Sequence, residues 1–118
     1  MGSTKFSDLK VWRKAYQLTL DLYKLTRTFP SEERYCLVQQ MRRAGISVPS
    51  NIAEGFSRPG PKEKAHFYAI AKGSVEELKV QLMLSKDLGY ASDVSVLQSL
   101  ADEVCAMLFT LRERVLGY

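Results

Sequence analysis

The sequence predicts an all-α fold: an antiparallel up-down-up-down four-helix bundle, formed as one domain over residues 1–118. Three observations carry this. Apolar residues recur at spacings of three and four through four long segments, the period of a helix with one buried face. No segment alternates apolar and polar residues over a convincing length, so no strand is expected. The segments are joined by short breaks rich in proline, glycine and serine, and short connections make neighbouring helices antiparallel. A chain of 118 residues suits one domain, and it contains no repeat or internal linker.

The first helix is expected over 8–28. Val11, Ala15, Leu18, Leu22, Leu25 and Phe29 follow one another at four, three, four, three and four, a heptad seam. Ser7 or Asp8 is placed to cap its start through a side-chain oxygen, and Pro30 ends it. Leu9, Trp12, Tyr16, Leu20 and Tyr23 form a second apolar stripe. A monomeric bundle needs one seam, so two stripes predict a partner subunit.

The second helix is expected over 31–57, with Glu32 and Glu33 at its positive end and Leu37, Met41, Ala44, Val48 and Ile52 inward. Pro49 has no N–H to donate and crowds the carbonyl four residues earlier. The period continues to Ile52 and Phe56, so a kink is expected and not a stop. The break GFSRPGP follows.

The third helix, 61–88, starts with Pro61, which suits a first helical turn. Phe67, Ile70, Ser74, Leu78 and Leu82 read as its core stripe, continuing toward Leu88. Ala65, Ala69 and Gly73 recur every four residues and leave room for a close neighbour. Gly89 in DLGYAS is a natural left-handed cap. The fourth helix, 92–116, is capped by Ser92 or Asp93 and has Leu97, Leu100, Val104, Leu108, Leu111 and Val115 as its seam.

Composition is that of an ordinary globular protein, 46% hydrophobic and 25% charged. The net charge of +4 makes it a basic protein, but its 17 basic residues are spread without a run of five. That permits an anionic partner and does not require one. Cys36 and Cys105 stand alone, with no CxxC and no signal peptide, so two buried thiols in a reducing cytoplasm are expected. No apolar run is long enough to span a bilayer. The start, MGSTKF, has Gly2 but Phe6 where a myristoylation signal wants Ser or Thr, and GST reads as a cloning remnant.

Signs of catalysis are missing. His66 is the sole histidine, and nothing in the spacing pairs it with a cysteine nucleophile. Neither cysteine has a second ligand at close helical spacing for zinc. There is no glycine-rich phosphate loop and no HExxH. Glu76 and Glu77 lack the Glu-x-x-His pattern of a diiron bundle. The expectation is a non-enzymatic protein without metal or cofactor.

RRAGISVPSNIAEGFSR, residues 42–58, is the unusual stretch. On a helix Arg43, Ser47, Ser50 and Glu54 form one polar stripe, flanked by Arg42, with Arg58 one turn beyond. Asn51 sits nearer the core, and Ser74, Glu77 and Gln81 share one side of the third helix. One reading is a structural polar network of Ser47, Ser50, Asn51, Glu54, Ser74 and Glu77, in which Ser47, Ser50 or Asn51 helps satisfy the polar groups around the Gly45 carbonyl freed by Pro49. The other is an anion-binding face with Arg42, Arg43 and Arg58 as forked donors to RNA phosphates. Both fit if Glu54 and Asn51 point inward while Arg42 and Arg58 point outward. Glu54, the one carboxylate of the stretch, is expected to pair with an arginine and to be structural. Trp12 and Tyr16 suit base stacking, though their helical spacing suits packing better.

FSDLKVWRKAYQLTLDLYKLT, RRAGISVPSNIAEGFSR and HFYAIAKGSVEELKVQL together resemble the four-helix-bundle proteins encoded in intervening sequences of bacterial 23S ribosomal RNA genes. The resemblance covers roughly residues 6 to 90, and SVPSNIAEG with AKGSVEEL carries its specificity. It implies a homopentamer, a role in RNA binding and no catalytic residues. It also implies kinship with the pentameric accessory proteins of diversity-generating retroelements, which engage a reverse transcriptase; a protein adaptor of that kind is the alternative function. The shared pattern falls on Arg42, Arg43, Ser47, Pro49, Ser50, Asn51, Glu54, Gly55 and Arg58, and on Gly73, Ser74, Glu77 and Leu78. Gly45 stands where many members have alanine.

Overall fold

The computed structural model describes residues 5–118; the readings made on Gly2 and on GST lie outside them. Four helices carry the fold: α1 (Lys10–Thr26), α2 (Leu37–Ser57), α3 (Pro61–Asp87) and α4 (Ser95–Val115). Short 3-10 turns at Phe6–Asp8 and Ser31–Glu33 precede the first two. The described residues contain no strand. α2 packs on α1 and α3, and α4 packs on α3 and α1. One core therefore draws on all four helices. The molecule is 45 Å long, close to the reach of the 27-residue α3 at about 1.5 Å per residue. No helix of the described residues is long and apolar enough to cross a membrane.

The heptad seam of α1 is buried at Val11, Ala15, Leu18, Leu22 and Phe29, with Leu25 packed beside it. The start of α1 differs from expectation. Leu9 holds the N-cap position without a side-chain bond. Ser7 and Asp8 act there through their main-chain oxygens, which accept from the Arg13 guanidinium at 3.1 and 3.0 Å.

α2 begins six residues later than the sequence reading, at Leu37 and not Ser31. Cys36 takes φ −125° and ψ −97°, outside the helical region, and separates the 3-10 turn from the helix. Glu33 bridges the gap. One carboxylate oxygen accepts the Leu37 N–H at 3.4 Å, and the other accepts the Tyr90 hydroxyl at 2.7 Å. Tyr90 also packs on Phe29, ring centroids 5.5 Å apart, so Glu33 fastens the α1–α2 turn to the α3–α4 turn. The acceptor carboxylate, aided by desolvation, pushes the Tyr90 phenol up to about 12.

Pro49 does not interrupt α2. The Gly45 carbonyl, which lacks its usual partner, accepts the Thr19 hydroxyl of α1 at 2.7 Å. Ser47, Ser50 and Asn51 are not the residues that satisfy it. Gly45 also lets α1 come close: a Cβ there would lie 2.7 Å from Cδ2 of the fully buried Leu22. Gly55 does the same for α3, since its Cβ would meet the Tyr68 ring at 2.8 Å and Cβ of Phe67 at 3.0 Å. At the end of α2 the Lys64 ammonium donates to the Phe56 carbonyl at 2.6 Å, where a cation complements the helix dipole.

α3 follows a different stripe from the expected one. Ala65, Tyr68, Ala71, Val75, Leu78, Leu82 and Ser85 are buried. Only Leu78 and Leu82 belong to the anticipated set; Phe67 and Ser74 are half-buried and Ile70 and Leu88 exposed. The observed face, on which α2 and α4 both pack, mixes the small Ala65, Ala71 and Ser85 with the large Tyr68, Leu78 and Leu82. Ala69 and Gly73 are exposed, and nothing lies within 4 Å of a Cβ built on Gly73. Gly89 closes the helix at φ +80°.

α4 starts three residues later than expected, at Ser95, with the Asp93 carboxylate accepting the Ser95 N–H at 2.8 Å. Leu97, Val104 and Leu108 are buried and Leu100, Leu111 and Val115 partly so. Cys105 is buried, but Cys36 is exposed, contrary to the expectation of two buried thiols. The reason is its place in the turn before α2. Burial pushes the Cys105 thiol up to about 12, reinforced by its bond to the Glu76 carboxylate at 3.0 Å.

Two measurements check this account. Thr19→Val should cost about 1–3 kcal/mol, because it leaves the Gly45 carbonyl unpaired. In a Pro49→Ala background the helix regains an N–H for that carbonyl, so the same change should cost much less. Chemical denaturation of the four proteins of this cycle reads the coupling. Thiol titration at pH 8 should count one reactive cysteine in the native chain, Cys36, and two after unfolding.

Candidate nucleic-acid interface

The side chains of residues 42–58 divide among three surroundings. The first is the α2–α3 seam. The Ser47 and Ser74 hydroxyls lie 2.8 Å apart, and the Asn51 amide donates to the Ser47 carbonyl at 2.8 Å and to its hydroxyl at 2.9 Å. These three residues form a half-buried polar knot that sets the register of the two helices. Glu54, Ser50 and Glu77 lie outside it. The Glu77 carboxylate instead accepts the Gln81 amide at 3.2 Å.

The second is the exposed end of α2. Glu54 points outward and pairs with Arg58 at 3.4 Å, with side-chain exposures of 47% and 39%. Its expected inward, structural place is not observed. Helical rotation places residue 54 on the same side as Ser47 and Asn51, but at this end of α2 its carboxylate turns to Arg58 and to the Ser57 hydroxyl, which donates to it at 3.3 Å. The Arg58 guanidinium lies 4.9 Å from the Phe67 ring centroid.

The third is the α1–α2 seam. Arg42 does not point outward. Its Nε donates to the buried Thr26 hydroxyl at 3.0 Å, and its guanidinium covers the Tyr23 ring at 4.4 Å. Thr26 in turn donates to the Leu22 carbonyl at 2.9 Å. Arg42 is thus a clamp between helices.

Beside this clamp a groove of about 480 Å³ opens, lined by Tyr23, Arg34, Tyr35, Val38, Gln39, Arg42, Arg43 and Ile46. A smaller cleft continues past Arg34 and Arg42 to Arg27. Four arginines therefore surround the junction of α1 and α2. Among the described residues no carboxylate lies within ion-pair distance of any of them; the ion pairs lie elsewhere in the molecule, at Lys14, Arg58 and Lys79. Glu33, the nearest carboxylate in sequence to Arg34, is held by Leu37 and Tyr90. Arginines without an ion-pair partner beside tyrosines offer forked donors for phosphate and flat faces for bases.

The structure brings Arg42 and Arg43 to this groove and leaves Arg58 roughly 20 Å away, fifteen residues along α2 at 1.5 Å each. Sequence reasoning missed Arg27, Arg34 and Tyr35. Arg34 and Tyr35 lie in a turn where the sequence predicts helix, and no periodicity marks them. Trp12 and Tyr16 stack on each other at 4.9 Å and line a separate α1–α2 groove with Phe6, Ile46, Pro49 and Ala53. His66 is exposed, edge-on to Phe67. Among the described residues no group of three or more His, Cys, Asp or Glu side chains is placed to hold a metal.

A family model described as 23S rRNA-intervening sequence protein matches residues 7–110, and the chain belongs to that family. No curated protein matches it.

The different surroundings predict different mutational costs. Arg42→Ala should destabilise the fold by about 1–2 kcal/mol, through a charged hydrogen bond and a cation–ring contact. Glu54→Ala should cost at most about 1 kcal/mol, as for an exposed pair, and Arg43→Ala should leave the melt unchanged. Thermal melts of the three variants check the order.

Proposed function

We propose that this member of the 23S rRNA-intervening sequence family is a non-enzymatic RNA-binding protein. Its arginine groove at the junction of α1 and α2 is the contact surface. The observation that carries the reading is the set Arg27, Arg34, Arg42 and Arg43, none with a described carboxylate within ion-pair distance, flanked by Tyr23 and Tyr35. Arg34 and Arg43 contact phosphate, while Arg42 mainly holds the groove's shape.

The bundle that presents the groove is antiparallel and up-down-up-down. Met41 opposite Ser85, Ser47 opposite Ser74 and Gly55 opposite Tyr68 support that course for α2 and α3. The protein works in the cytoplasm as a ring, a homopentamer. Exposed apolar residues on two helices that do not pack on each other support assembly: Tyr16 and Leu20 on α1, and Ile70, Val80 and Leu84 on α3. A closed ring joins two different patches on each subunit.

Anisotropy titrations with labelled 23S rRNA fragments at two salt concentrations test the RNA reading. Affinity should fall steeply with salt, because bound arginines release counterions from phosphate. Each of Arg34→Ala and Arg43→Ala should weaken binding and flatten that dependence. No binding at low salt would overturn the reading in favour of a protein adaptor, such as one for a reverse transcriptase. Light scattering at micromolar concentration tests the ring, and a stable monomer would overturn it.

A further inference from the structure

We infer that the groove takes an unpaired segment of RNA, one base at a time on Tyr35, and rejects duplex. The inference rests on the RNA-binding reading above and names the form of RNA that this site fits.

Tyr35 is 82% exposed, and among the described residues no ring or cation packs against it. Its neighbour across the groove, Tyr23, is already covered by Arg42 at 4.4 Å. Of the two groove tyrosines, only Tyr35 has its faces free. A bare aromatic face is matched by the face of a base, and bases inside a duplex have theirs occupied by stacking. Recognition through stacking therefore selects unpaired nucleotides.

The volume agrees. About 480 Å³ lies in the range of clefts for small ligands, roughly 300–1,000 Å³. It holds a nucleotide or two and no turn of duplex. Arg34 precedes Tyr35 in the chain, and Arg43 and Gln39 line the same groove. A base on Tyr35 leaves its phosphate within the compass of two arginines and an amide. Charge complementarity favours RNA over an apolar partner: the groove's charged side chains are all cationic.

The test uses the full chain and a labelled RNA of about a dozen nucleotides, without self-complementarity, alone and annealed to its complement. The single strand should bind at least about ten-fold more tightly than the duplex. Tyr35→Ala should weaken single-strand binding roughly ten-fold and leave duplex binding unchanged, since stacking of one base supplies a factor of that order. Tyr35→Phe should retain binding, because the ring and not the hydroxyl does the stacking. Arg34→Ala should lower the slope of log affinity against log salt by about 0.7, one phosphate's share for a single strand. Equal binding of both forms, with Tyr35→Ala like the parent, overturns this inference and leaves the RNA reading standing. No binding of either form at low salt overturns both. Tyr35 is exposed and lies outside every helix, so its variants keep the fold.

Discussion

The hydrogen bond from Thr19 to the Gly45 carbonyl is the constraint on which the α1–α2 half of the molecule depends. Proline in a helix removes a donor and forces its ring on the preceding turn, at a cost of about 3 kcal/mol in an ordinary helix interior. Here the orphaned oxygen is not left to water, for Gly45 is buried. It is met at 2.7 Å by a hydroxyl from the neighbouring helix. That requires α1 and α2 to be close at this level, which the missing side chain of Gly45 permits. Once the helices meet there, Arg42 falls opposite Thr26 and Tyr23. Its neighbour Arg43 is left facing outward into the groove. Proline, glycine and threonine thus position the arginines without touching them.

The parts of the fold legible in the sequence were those made of large apolar residues. The seam of α1 runs without a gap from Val11 to Phe29, and its burial follows. The face of α3 was misread for the opposite reason. Its buried positions include Ala65, Ala71 and Ser85, which carry little hydrophobic signal, while Ile70 and Leu88 carry much and stay exposed. Where two helices pack on a third, the fit of large and small side chains together, and not the hydrophobicity of single positions, decides which face turns in. The start of α2 was misplaced because Glu32 and Glu33 suit a helix N-terminus. Glu33 spends its carboxylate on Tyr90, 57 residues away in the chain, and no local reading reaches that far.

The candidate site was legible only in part. RRAGISVPSNIAEGFSR reads as one polar face, but the structure parcels it among a helix–helix knot, a solvent pair and an interhelical clamp. Neighbouring arginines differ most: Arg42 faces α1 and Arg43 faces water, because 100° of helical rotation separates them. Arg34 and Tyr35 belong to the turn, and their nearness to Arg43 arises from the chain's reversal between helices. A site assembled from two helices and a turn has no spacing of its own to recognise.

The exposed turn before α2 has a practical consequence. Cys36 follows Tyr35 directly and is open to solvent, while Cys105 is walled in beside Glu76. The native chain therefore carries a single addressable thiol, one residue from the groove's free aromatic ring. A fluorophore attached there reports on groove occupancy without an engineered cysteine, and in an assembly it marks every subunit at the same place. Distances between such labels would read the symmetry of the proposed ring directly.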